Sequence, residues 1–172
     1  RFREHLRLAP LGEELVPLAK AVGRVLARDV VAEIDVPGFD RATMDGYAVV
    51  AASTDGAGAY NRRSLTVIGD SMPGRPFEGS IGEGEAVRVM TGAPIPQGAD
   101  AVLPAEFVEE DTESPPKGGH HGRIRALASV SPAKNVGRIG EDIARGATVL
   151  ERGRRVRPQD LGVLRSIGHS HA

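Results

Sequence analysis

A strand-dominated α+β fold is what the sequence predicts, on three observations. Its 172 residues include 22 glycines and 12 prolines, so many that frequent turns are favoured over long helices. The apolar residues fall mostly in short runs of strand character bounded by Gly, Pro, Asp and Ser. Only two stretches, one towards each end, carry helical spacing.

The first element expected is a helix over Val16–Ala27, where Pro17 suits an opening turn and Leu18, Val22, Val25 and Leu26 follow at i, i+4, i+7 and i+8. Val30 to Ile34 reads as extended and stops at Pro37-Gly38, since proline fixes φ and glycine tolerates geometries other residues avoid. Asp45-Gly46 is a turn dipeptide leading into the strand-like Tyr47-Ala48-Val49-Val50. Ser64 to Ile68 is a further strand, closed by the breaker-rich loop Gly69–Pro76. Ile81–Glu85 is a turn before the alternating Ala86-Val87-Arg88-Val89-Met90, and Thr91–Asp100 is a proline-punctuated loop before a strand-like run at Ala101-Val102-Leu103. Ser114–Gly122 reads as a hairpin tip, with Glu109-Glu110-Asp111 beside it as a solvated face. Ala147–Leu150 and a basic turn at Glu151–Arg155 precede a second helix, announced by Pro158, marked by Leu161, Leu164 and Ile167, and capped by Gly168.

Composition narrows the function. The net charge of −1, with arginines interspersed among acids, disfavours a nucleic-acid partner. No apolar run is long enough to span a bilayer and no signal-peptide core is present, so a soluble, cytoplasmic protein is expected. The absence of cysteine excludes disulfides, thiolate metal sites and cysteine nucleophiles. A start at Arg1 and an end at Gly168-His169-Ser170-His171-Ala172 imply an excised fragment.

Three segments carry chemistry. Asp45, in Met44-Asp45-Gly46-Tyr47, is either a placed carboxylate or a turn former bonding nearby backbone N–H groups. Thr91, in Met90-Thr91-Gly92-Ala93-Pro94, either contacts an anionic ligand or bonds its own turn. In Gly137-Arg138-Ile139-Gly140-Glu141-Asp142-Ile143 the acids either serve a site or shape a turn, and Arg138 either pairs with phosphate or forms a surface ion pair. His120-His121 and His169/His171 lack converging acids, so metal binding is not expected of them. No phosphate-cradling loop, dinucleotide fingerprint or nucleophile elbow appears.

In this order, and with Val16–Ala27 containing Gly23-Arg24-Val25-Leu26-Ala27, the three segments resemble the molybdopterin molybdenumtransferase family, the bacterial MoeA proteins and the E domain of gephyrin. Here Ala42-Thr43 stands where the family usually has Ser-Ala. Gly137-Arg138-Ile139 stands where an arginine-rich run is common, which leaves Arg138 as the arginine carried over.

The resemblance implies a discontinuous elongated domain, residues 1–35 and 144–172, of two helices plus extended segments. A β-rich lobe, residues 36–143, is inserted into it and carries the motifs. It further implies that a downstream α/β pterin-binding domain is absent from this chain, that the working unit is a homodimer, and that the fragment alone is inactive. The implied reaction is insertion of molybdate into adenylylated molybdopterin with release of AMP, assisted by Mg2+ held between carboxylates and phosphates. Asp45 and Asp142 are the implied catalytic acids and metal-ligand candidates, and Thr91, Arg138 and Glu141 the implied substrate-binding residues. The alternative is a non-catalytic dimerisation or scaffolding module. A third reading, a lipoyl- or biotinyl-type carrier over Gly140–Arg154, needs a lysine at a hairpin tip, for which Lys134 and Lys117 are badly placed.

Overall fold

The computed structural model describes residues 12–111 and 122–172. Except for Gly122, the expected hairpin tip lies outside these residues, and with it Lys117 and His120-His121. The chain divides into two compact units, Arg1–Val36 with Ile143–Ala172, and Pro37–Asp142.

In the first unit the helix expected over Val16–Ala27 is not formed; only a 3-10 turn, Leu18–Lys20, is present. Its backbone donors are used elsewhere. Val16 exchanges both backbone bonds with Ala172 at 2.9 Å, Leu18 N–H goes to Ser170 O, Gly23 N–H to Val156 O and Leu26 N–H to Arg154 O. Pro17 supplies no N–H, and Gly23 takes φ +83°, so the segment is a chain of turns bound to the far end of the sequence. Val22 and Val25, part of the expected helical stripe, are exposed, whereas Val16, Ala21 and Leu26 pack with Leu150, Val156 and Leu164.

The same unit pairs β1 (Val30–Val31) with β10 (Thr148–Leu150), so Gly140–Arg154 does not fold as a carrier hairpin. The second expected helix is present as α1 (Pro158–Ser166), with Leu164 fully buried and Gly168 at φ +90° ending it. Asp160 in its first turn accepts the Arg157 N–H at 2.9 Å and an Arg154 guanidinium N–H at 2.7 Å. No helix among the described residues is long and apolar enough to cross a membrane.

The second unit is built on a six-stranded sheet of order β6-β3-β5-β4-β8-β7. Its strands are β3 (Gly46–Val49), β4 (Arg63–Ser71), β5 (Glu85–Val89), β6 (Ala101–Pro104), β7 (Val108–Asp111) and β8 (Arg123–Ala126). Only β4 and β5 run parallel; the other neighbours are antiparallel. Successive side chains alternate between two cores, so Tyr47 and Val49 meet Leu65, Leu103 and Ile124, while Ala48 faces Val87, Val89 and Val102. This makes β3, buried at all four positions, the spine of the sheet, as its continuous apolar run predicts. Fully burying a side chain such as Leu103 contributes about 1.5–3 kcal/mol.

β4 runs beyond the expected Ser64–Ile68 into Gly69-Asp70-Ser71. A bulge between Val67 and Gly69 absorbs the breaker, and the Phe77 ring fills the space above Gly69, where a Cβ would lie 2.5 Å from it. A separate pair, β2 (Arg41–Ala42) with β9 (Val136–Gly137), completes the unit.

Candidate functional site

The second unit gathers the three motifs around one stretch, residues 40–45. On one side Arg41 pairs with Gly137 and Ala42 with Val136. On the other, Ala42 N–H donates to Ala93 O at 2.9 Å, Gly92 N–H to Ala42 O at 2.8 Å and Ile95 N–H to Asp40 O at 2.9 Å. The bend that follows is pinned at both ends, Thr43 N–H to Asn135 O at 3.0 Å and Ala105 N–H to Asp45 O at 3.1 Å. Gly46 is required next, because a Cβ there would run into the Leu103 carbonyl oxygen and the Pro104 Cα of β6.

Asp45 and Thr91 are in direct contact. Asp45 Oδ1 accepts both the Thr91 N–H and the Thr91 hydroxyl, each at 2.8 Å. The backbone bond, then the hydroxyl bond, hold the Asp45 carboxyl below its usual range against a small opposing effect of burial, and Arg88 adds to the lowering. Both bonds fall on Oδ1, so Oδ2 keeps its acceptor capacity for a ligand. Beside Asp45 lies a pocket of about 120 Å³ lined by Tyr47, Arg88, Met90, Val108 and Glu110. The buried Tyr47 donates its hydroxyl to Glu110 Oε1 at 3.2 Å, and burial first, then Glu110, raises the phenol above its ordinary value.

The acids of the third motif meet at Arg41. Its guanidinium lies 2.7 Å from Glu141 Oε1 and 3.7 Å from Asp142 Oδ2. Glu141 Oε2 also accepts the Arg138 N–H at 3.1 Å. Gly137 makes room for this, since a Cβ there would sit 2.6 Å from Glu141 Oε1. The Arg138 side chain turns instead to Asp40, 2.6 Å from Oδ2, while Ile139 N–H donates to Asp40 Oδ1 at 2.9 Å. The Ile139 bond first, assisted by Arg138, lowers the Asp40 carboxyl, with burial opposing.

Asp45 with Thr91 and Glu141 with Asp142 are thus two carboxylate groupings joined through residues 40–45, and Arg138 is occupied by Asp40. Sequence reasoning missed Asp40, Arg41 and Arg88. The first two form an oppositely charged dipeptide entering the bend, a visible signal whose partners depend on tertiary pairing. Arg88 is the one charge in the alternating run Ala86–Met90, and its guanidinium lies close enough to Asp45 and Tyr47 to act on both electrostatically. No three His, Asp or Glu side chains among the described residues converge as a metal cage. Asp45 and Asp142 are each single carboxylates that could contribute one oxygen to a cation held mainly by other ligands.

Fold and site together define a strand-rich α+β protein that presents acids from backbone bends. The chain belongs to the family described as the MoeA N-terminal region (domain I and II), whose model matches residues 1–168. It is 40% identical over 153 residues to molybdopterin molybdenumtransferase 2 of Mycobacterium tuberculosis, covering 89% of this chain and 36% of that protein. It is 37% identical over 159 residues to molybdopterin molybdenumtransferase of Haemophilus influenzae, covering 92% of this chain and 36% of the relative. A crystal structure of a molybdopterin biosynthesis MoeA protein from Pyrococcus horikoshii OT3 superposes with a TM-score of 0.83 at 41% identity, covering 92% of this chain and 40% of that one. The chain therefore spans little more than a third of the length of the two curated relatives.

Proposed function

We propose that this chain is the N-terminal part of an enzyme that inserts molybdate into adenylylated molybdopterin and releases AMP, working as a homodimer with an α/β pterin-binding domain supplied by the rest of a longer protein. One observation carries the reading: residues 40–45 bring Asp45 with Thr91 and Asp142 with Arg41 into one neighbourhood of a chain of this family. In the hydrolytic half, water oxygen attacks phosphorus, the phosphoanhydride bond breaks, and AMP leaves with a proton balance completed by solvent.

Asp45, held ionised by Thr91, is a weak proton acceptor and a good fixed anion, so its role is to anchor a cation against the phosphates. A magnesium ion held by Asp45 would supply charge neutralisation and polarisation of a phosphoryl oxygen. Asp142, exposed and 3.7 Å from its arginine, is the acid assigned in this reading to orient the attacking water. Thr91 acts through Asp45, since both its donors are spent on that carboxylate. Glu141 and Arg138 are committed to Arg41 and Asp40, which leaves Arg88 as the guanidinium available to an anionic ligand.

The test is turnover of adenylylated molybdopterin by the full-length protein. Asp45→Asn and Asp142→Asn are each expected to lower kcat on the order of 100-fold; unchanged turnover in both would remove the assignment. The satisfied state of Arg138 and Glu141 favours the second reading, a dimerisation or scaffolding module whose acids only shape turns. Activity surviving both substitutions in a tight dimer would establish that reading instead.

A further inference from the structure

Asn135 has no role in the chemistry above, yet it sits where the site is assembled. With Ala133 (φ 64°) it is one of two non-glycine residues with positive φ among those described, at 59°. Asn tolerates that left-handed conformation better than other residues carrying a Cβ. Its side-chain Nδ2 donates to the Val102 carbonyl of β6 at 2.8 Å, and the preceding Lys134 carbonyl accepts the Val102 N–H at 3.1 Å. Its own carbonyl accepts the Thr43 N–H, which opens the Asp45 bend, at 3.0 Å. One residue later Val136 pairs with Ala42. After β8 the chain comes back alongside β6, turns at Asn135, and enters β9 beside the stretch that carries Asp40 and Arg41.

We propose that Asn135 is a positioning residue, a clamp that fixes the Thr43–Asp45 bend to β6 and so sets where Asp45 meets Thr91 and where the Glu141-Asp142 segment meets Arg41. Only its consequence for turnover rests on the functional reading above; the clamp itself is a statement about the bend. Val102 lies opposite Ala48 of β3, so the clamp ties the bend to two paired strands that are buried at every position. That gives an exposed bend the rigidity of a core element, the condition for holding a reacting group within a fraction of an ångström.

The test uses the isotope-labelled full-length protein, following hydrogen exchange of the Thr43 and Thr91 amides by NMR and turnover in the same samples. Asn135→Ala removes the amide and disfavours the left-handed backbone; Asn135→Gly removes the amide alone. Asn61→Ala, which deletes a comparable Nδ2 bond to Gly56 O at 2.7 Å, is the control. The expected result is faster exchange of both amides in Asn135→Ala, partly restored in Asn135→Gly and unchanged in Asn61→Ala. Turnover should fall with it by up to about 100-fold, mainly in kcat. Faster exchange with unaltered turnover still supports the clamp and removes the catalytic reading of Asp45. Unchanged exchange of both amides in folded Asn135→Ala overturns the proposal. Should that variant fail to fold, Asn135→Asp, which tolerates the backbone but sets a carboxylate against the Val102 carbonyl, is read by the same two outcomes.

Discussion

Asp160 in one unit and Asp45 in the other are secured by similar means and differ in what surrounds them. Each accepts a backbone N–H and a side-chain donor, and each carboxyl is held below its ordinary range, Asp160 first by the Arg154 guanidinium and Asp45 first by the Thr91 N–H. Asp160 is 3% exposed, enclosed by the start of α1 and two arginines, with nothing left to offer a ligand. Asp45 is open to solvent beside a pocket and is bound by neutral donors, so it keeps a full negative charge that no adjoining cation cancels at ion-pair distance. The contrast teaches that whether a satisfied carboxylate can still meet a ligand depends on what remains accessible once its local donors are counted.

The sharpest way to break that contrast is Asp45→Asn in the full-length protein, expected to cost about 100-fold in kcat while Tm, followed by calorimetry, moves by less than about 2 °C. Gly46→Ala attacks the foundation of the same bend: its Cβ forces β3 from β6, for an expected loss of about 1–3 kcal/mol by urea unfolding. Asp160→Asn should do the reverse of Asp45→Asn, lowering Tm by roughly 5 °C without altering turnover of the folded protein. Because the folded Asp160 carboxyl is depressed, its stabilisation is complete above the ordinary value of 3.8 and is lost as pH falls below it. The Tm gap between the wild type and Asp160→Asn should therefore narrow in acid; a gap constant from pH 6 to pH 2 would contradict the ion-pair origin. The smallest effect expected is that of Arg41→Ala on stability, about 0.5 kcal/mol or less and reduced further in 1 M salt, since its partners are partly exposed.

Much of the second unit was legible in the sequence because its strands alternate or run apolar, as Tyr47–Val49 and Ala86–Val89 do, and their breakers stand between them. The end of β4 was not, since the bulge at Gly69 and the Phe77 ring that fills it are tertiary matters. The helix expected at Val16–Ala27 failed for a similar reason: apolar spacing was right for a helix, but the donors found partners near Ala172 and Val156, a hundred or more residues away. At the site, the order of Asp45, Thr91 and Glu141-Asp142 pointed to the family, while the cations did not follow. Arg138 could be read either as pairing with phosphate or as a surface ion pair; its partner in the fold is Asp40, and Arg41 is the residue that collects the acids.

The bridge between Val36 and Ile143, together with the Gly140 N–H bond to the Pro37 carbonyl at 2.9 Å, has a consequence for biogenesis. The halves of the first unit are made at different times and are separated by the whole of the second. Once the second unit has folded on the emerging chain, its own two ends are neighbours, and joining the halves no longer requires closing a loop the length of that unit. A substitution that delays the six-stranded sheet should therefore also delay the docking of α1, although no atom of that helix has changed.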